Sequence, residues 1–286
     1  MYATLNVNRL TCTTEAQREM IRDDPSAALD QHLFLENPLP CLESQREFIL
    51  GTHAQRWKAT LAHRFVELLH HKTGKLVRWY TQNIDGLEDQ CTHLSTDQVI
   101  CVHGSMDRAE CARCEATQDF DNFCRRVQTQ IKDLTMQDPT APAESRPILC
   151  ENCRHPSVKP AIVLFRSSLP KVFFEKVPED VKDVDLLIVI GTSLKVAPAN
   201  SLVWRVPRSA LRLLVNREPV GEHLGMAYGD DAERDVFAEG DIEPVLLDLI
   251  EELGWLDELR PLLDGHLPAS STELLRARLE AKKPAI

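Results

Sequence analysis

The sequence predicts an α/β protein in which helices cover an open parallel sheet and a small metal-binding domain is attached. Three observations carry that expectation. Residues 185–190 run from Asp185 through Leu186, Leu187, Ile188 and Val189 to Ile190 without alternation, as a strand covered on both faces requires. Residues 54–71 place Trp57, Leu61, Phe65, Leu68 and Leu69 at three- and four-residue spacing, the stripe of an amphipathic helix. Two Cys-x2-Cys pairs, Cys111/Cys114 and Cys150/Cys153, supply four thiolates in the pattern of a zinc ribbon.

Taken in order, the first helix is punctuated by Thr73-Gly74, and residues 76–80, rich in β-formers, then deliver Thr81 to Asp85 to the carboxyl end of a strand. Ligands bind at that end in open α/β sheets. Residues 162–165 are a further strand candidate before a turn over 166–170. The run 185–190 ends in Gly191-Thr192-Ser193, and residues 211–215 end in Asn216-Arg217-Glu218. Asp241 is a plausible N-cap for a helix through Ile242, Val245, Leu246, Leu249, Ile250 and Leu253 that stops at Gly254. Strands alternating with helices make the sheet Rossmann-like. The tail from Pro261 carries Leu274, Leu275 and Leu279 at helical spacing and either packs as a terminal helix or frays.

At 286 residues with 43% hydrophobic content, the chain can bury a sizeable core. No run reaches the roughly 18 apolar residues of a membrane span, and no leader pattern opens the sequence, so cytosol or nucleus is the expected compartment. A net charge of −11 argues against an unspecific grip on nucleic acid and is compatible with basic protein partners or with plain solubility. Nine cysteines in a reducing compartment are free thiols or metal ligands. The two pairs are read as a closed four-cysteine Zn(II) site, with His155 as a substitute ligand and the polar stretch 119–140 as a flexible insertion. Such a site leaves no open position for chemistry, so the catalyst lies elsewhere.

Singly, a glycine after a strand is a turn and an Asn at a strand end satisfies local backbone; these residues gain meaning by recurring at one sheet edge. Gly191 permits close approach, Thr192 and Ser193 offer hydroxyls and amides, and Asn216 offers a donor and an acceptor.

Tyr80 to Asp85, His103-Gly104, the two cysteine pairs, Lys159-Pro160-x-Ile162-Val163, Gly191 to Val196 and Val215 to Glu218 resemble, in order, the motif series of the sirtuins over about residues 76–255. The resemblance implies an NAD-dependent protein-lysine deacylase that releases nicotinamide and leaves the acyl group on ADP-ribose. It implies a Rossmann-like NAD-binding domain over 1–100 and 159–256 with a helical module at about 5–72, a zinc-binding domain over 101–158, and a helical tail over 257–286. By the same resemblance His103 takes a proton from a ribose hydroxyl, a task suited to imidazole because its ordinary pKa of about 6.5 lies near working pH. Asn83 would orient the nicotinamide ribose or a water, Asp85 and Ile84 would hold the carboxamide, and Gln82 the ribose hydroxyls. Gly191, Thr192, Ser193, Asn216, Arg217 and Glu218 would reach phosphates and adenosine, and Gly240-Asp241 the adenine. Val163 and Phe165 would meet an acylated-lysine peptide, with Lys195 to Pro198 on its other side. No direct nucleic-acid or membrane partner is implied.

Three departures accompany the resemblance. No G-x-G occurs anywhere, and Met1 to Leu5 resembles the segment just after the family's glycine-rich loop, so the first strand and that loop are expected to be missing through a truncated gene model or fragment. Arg166-Ser167 stands where the family usually has Gly-Glu, and Gly240 where it often has Cys. A weak or inactive chain is therefore expected as written. The alternatives are a non-catalytic module that binds acyl-lysine or partners and, less well supported, a zinc-ribbon nucleic-acid binder.

Overall fold

The computed structural model describes residues 7–281, so the expectation placed on Met1 to Leu5 lies outside the described residues. The described strands are β1 (Trp79–Thr81), β2 (Val99–Cys101), β3 (Gly104–Cys111), β4 (Thr117–Gln118), β5 (Val158–Ile162), β6 (Leu186–Ile190), β7 (Leu211–Asn216) and β8 (Asp235–Glu239). They fall into two compact units. One holds the residues up to Trp57 together with Asn83–Gly86 and His103–Pro170; the other holds Lys58–Gln82, Leu87–Val102 and the chain from Lys171 on.

The second unit contains two parallel sheets, β1-β2 and β6-β7-β8. Both faces of the larger one are covered, which is why β6 shows no alternation. Ile188, Ile190, Leu213 and Val215 pack in a cluster with Leu61, Phe65, Leu246, Ile250 and Leu275, while Val189 and Leu214 pack with Leu194, Val203 and Met226. Arg212 and Asp235 lie buried opposite one another on β7 and β8, bonded Nε to Oδ1 at 2.5 Å and Nη2 to Oδ2 at 2.6 Å. Two further guanidinium hydrogens go to the carbonyls of Val203 and Gly225, and the Asp235 carboxylate compensates the buried charge.

The helix expected from residue 54 begins at Leu61, where Thr60 and His63 form a capping box, and ends at Gly74 in the left-handed conformation. Trp57 belongs to the other unit, edge-on to Phe48 at 5.3 Å and over Gly51. The helix Ile242–Glu252 starts after Asp241 as read, and the tail packs as the helix Ala269–Ala281 with Leu275 and Leu279 buried.

The first unit surrounds a three-stranded antiparallel sheet, β4-β3-β5, with the helices Glu15–Asp23, Gln31–Glu36, Leu39–His53 and Phe120–Gln130. Two expectations are corrected here. The strand expected over 162–165 is instead the end of β5, antiparallel to β3; beyond Ile162 the Val163 N–H bonds the His103 carbonyl and the Phe165 N–H bonds the Leu29 carbonyl. The supposed flexible insertion contains the helix Phe120–Gln130, capped by the Asp119 carboxylate and held by buried Phe123, Cys124 and Val127. Among the described residues no helix is long and apolar enough to cross a membrane.

Candidate functional site

The four cysteines close on one another within the first unit, every Sγ within 4.8 Å of the rest. Cys111 to Cys153 and Cys114 to Cys150 are each 3.7 Å apart. Four thiolates at about 2.3 Å from one ion stand about 3.8 Å from each other, so the donor set fits tetrahedral Zn(II) and is too open for disulfides. The two turns repeat one hydrogen-bond pattern. The Cys111 carbonyl accepts from Glu115 N–H at 2.9 Å and the Cys150 carbonyl from Arg154 N–H at 3.0 Å. Glu115 and Arg154 have φ of 57° and 62°. Each turn then closes with the first cysteine's N–H, on Ala116 for Cys111 and on His155 for Cys150. His155 thus contributes its carbonyl, and the sulfur tetrahedron is complete without its ring. The Asn152 amide on Cys114 Sγ, followed by the Ala116 N–H, draws that thiol down to about 6, whereas burial pushes Cys111 up to about 12. Sequence reasoning missed Asn152 and also Gln118, whose side chain accepts from Glu151 N–H at 3.0 Å and braces the second turn.

His103 immediately precedes β3 in the same unit, its carbonyl tied to Val163 N–H at 2.8 Å. Gly104 makes this approach possible. At φ +74°, a Cβ there would stand 2.0 Å from the Ala161 carbonyl oxygen. The loop Asn83–Gly86 docks on the same strand, since the Ile84 carbonyl accepts from Met106 N–H at 2.9 Å. Met106 is three residues, about 10 Å of strand, from His103, and the loop with Asn83, Ile84 and Asp85 docks there. Val163, bonded to His103, and Phe165, 52% exposed, complete the set gathered in this unit. Lys159 of the same motif is buried and fully engaged by Glu110 and by the carbonyls of Pro160 and Ile162.

In the second unit the expected cofactor residues meet at the carboxyl ends of β6, β7 and β8. Gly191 N–H bonds the Val215 carbonyl and Gly240 N–H the Asn216 carbonyl. Gly191, at φ +61°, approaches the Ile242 side chain so closely that a Cβ would lie 2.5 Å from it. Gln82, just after β1, reaches Thr192 Oγ1 at 3.3 Å, and that oxygen also accepts from Leu194 N–H. Asn216 donates to the Glu218 carbonyl, and the exposed Arg217 pairs with Asp241 at 2.5 Å. Ser193 stands in the loop that Thr192 and Asn200 shape. Hydroxyls, amides and a guanidinium at one sheet edge form a donor set that fits a nucleotide. The structure does not collect all the expected residues in one unit: Gln82 and the edge residues lie in the second, Asn83, Asp85, His103 and Val163 in the first.

Comparison with known proteins bears on the family of the chain. A family model described as "Sir2 family" matches residues 13–198. The chain is 35% identical over 233 residues to the NAD-dependent deacetylase sir2D of Dictyostelium discoideum, covering 81% of this chain and 38% of that one. It is 32% identical over 248 residues to the NAD-dependent protein deacetylase hst2 of Schizosaccharomyces pombe, covering 87% and 66%. With the human NAD-dependent protein deacetylase sirtuin-1 the identity is 34% over 232 residues, covering 81% and 27%. The chain thus spans between about a quarter and two thirds of these relatives.

Proposed function

This chain belongs to the Sir2 family, and from that premise we propose that it is an NAD-dependent protein-lysine deacetylase. The observation that supports the proposal is that the His103 carbonyl bonds Val163 N–H while the Asn83–Gly86 loop docks, through the Ile84 carbonyl on Met106 N–H, on the strand that follows His103. NAD, when bound, supplies the acyl acceptor and nicotinamide as leaving group. His103 would accept a proton from a ribose hydroxyl, and its backbone tie to Val163 joins its main chain to the segment that would meet the acyl-lysine. Asn83 would orient the nicotinamide ribose, Asp85 and Ile84 would bond the carboxamide, and Gln82 the ribose hydroxyls. Gly191, Thr192 and Ser193 would hold the phosphates; Asn216, Arg217, Glu218, Gly240 and Asp241 would hold the adenosine. Val163 and Phe165 line the path of the modified lysine. The zinc cluster has no open position and holds its two turns together.

Cysteines outside the cluster are free thiols, which supports a cytosolic or nuclear setting, and the −11 charge supports protein rather than nucleic-acid substrates. The test is incubation of an acetyl-lysine peptide with the protein, with and without NAD. Deacetylated peptide and nicotinamide in equal amounts, only when NAD is present, are expected. A second reading, an acyl-lysine-binding module without turnover, is favoured by the lack of any G-x-G in the 286 residues. Peptide binding without nicotinamide release would select it.

A further inference from the structure

Arg166 is a charged side chain that is held at a conformational cost and that the proposed reaction leaves unused. It occupies the third position of a turn closed by Ser167 N–H on the Leu164 carbonyl at 3.0 Å, with φ +67°. That position ordinarily takes glycine, and a residue with a Cβ costs about 1–2 kcal/mol there. The side chain is 72% exposed, yet anchored: its Nε stands 3.2 Å from Asp30 Oδ2, and Asp30 is buried. Asp30 is in turn fixed by the N–H groups of His32 and Leu33 on Oδ1, and by the Phe165 carbonyl, which accepts from Gln31 N–H. Among the described residues Arg166 has no other ionic partner. Asp30 pairs with Nε, and the two terminal nitrogens, which pair with no other described residue, are the planar fork that receives a carboxylate with two parallel hydrogen bonds.

We propose that Arg166 selects acylated peptides carrying an Asp or Glu two or three residues from the modified lysine. The proposal rests on the deacetylase reading, which sets the acyl-lysine at Val163, and Arg166 lies three residues further on, at most about 10 Å away because the turn shortens the path. The overall charge of −11 pulls the other way, toward basic peptides. The two effects separate with salt. A contact pair persists at 0.15 M ionic strength, where charges beyond about 8 Å are screened.

The experiment measures kcat/KM with NAD and acetyl-lysine peptides that differ only in Asp, Asn or Lys at the second and third flanking positions, in 0.15 M salt. The wild type, Arg166→Gly, Arg166→Glu and Arg166→Lys are compared. The wild type is expected to favour Asp over Lys by about fivefold, the upper range of an exposed ion pair. Arg166→Gly brings the ratio to about one, Arg166→Glu inverts it, and Arg166→Lys keeps part of it. An unchanged ratio across the variants overturns the proposal. The same peptides are bound to His103→Ala with Arg166 intact or changed, and fluorescence anisotropy is read. Those ratios decide the peptide preference even if no protein turns over, which would count against the deacetylase reading alone. Equal affinity for Asp and Lys peptides in that assay also overturns it.

Discussion

Replacing Gly104 by alanine should damage the protein through backbone contact alone. The added methyl would stand 2.0 Å from the Ala161 carbonyl oxygen and 2.8 Å from Ile162 Cα, both backbone atoms of β5. To reach ordinary contact at about 3.4 Å, β5 must withdraw by about 1.4 Å, which strains the Gly104↔Ile162 and Ser105↔Ala161 pairing and the His103–Val163 hydrogen bond. The left-handed conformation at φ +74° adds about 1–2 kcal/mol and forced packing about 1–3 kcal/mol, for a total near 2–5 kcal/mol. At roughly 2–3 °C per kcal/mol, the midpoint of thermal unfolding falls by about 4–15 °C. Since His103 moves with the strand, nicotinamide release should fall more than tenfold at temperatures where the variant is still folded. Differential scanning fluorimetry and the nicotinamide assay read the two effects. A midpoint within about 1 °C of wild type, with full activity, would refute the reasoning.

Further outcomes rest on the same geometry. His103→Ala should lower nicotinamide release by about a hundredfold or more with unchanged circular dichroism, whereas activity within tenfold of wild type removes His103 from the role of base. Cys150→Ser should cost the chain its single zinc, measured by metal analysis, and lower thermal stability; a metal-free wild type of equal stability would reject the cluster as a zinc site. Asp180 accepts from Arg78 at 2.7 and 2.8 Å and from Tyr80 at 2.5 Å; burial acts to raise its pKa, but these bonds outweigh it and leave the carboxyl below its usual range. A depressed folded pKa gives stability that is present above the unfolded value of about 3.9 and is lost as pH falls through the folded value. Asp180→Asn should therefore be destabilising at pH 7 by urea midpoint, with the gap closing below about pH 4; an equal gap at pH 3 and pH 7 would contradict this. Asn216→Ala should raise KM for NAD with little change in KM for peptide.

What could be read from the residues was what local pattern decides. The Gly74 cap, the non-alternating β6 and the two cysteine turns each depend on a few neighbouring residues. The helix Phe120–Gln130 was also written locally, as Phe120, Phe123, Cys124, Val127 and Ile131 at helical spacing, but Asp121, Asn122, Arg125, Arg126 and Gln128 between them gave the stretch a polar look. Leu39–His53 shows no stripe because it is buried nearly all round. Its Glu43 is satisfied by Thr11 and Ser145, and its Arg46 by the Gln128 and Ile131 carbonyls and Asp138, all far away in the chain. Residues 162–165 have the composition of any buried strand, and only the distant partner β3 decides that the pairing is antiparallel. In the candidate site the residue types were legible, while the reason for Gly104 and the anchoring of Arg166 by Asp30 depend on approaches between segments distant in sequence.

The most direct measurement tracks the acyl group itself. A peptide whose lysine carries a carbon-labelled acetyl group is incubated with the protein and NAD, and the label is located by mass spectrometry. The account predicts the label on ADP-ribose, in equal amount to nicotinamide and free-lysine peptide, with none transferred by His103→Ala. Labelled free acetate formed at the same rate without NAD would contradict it.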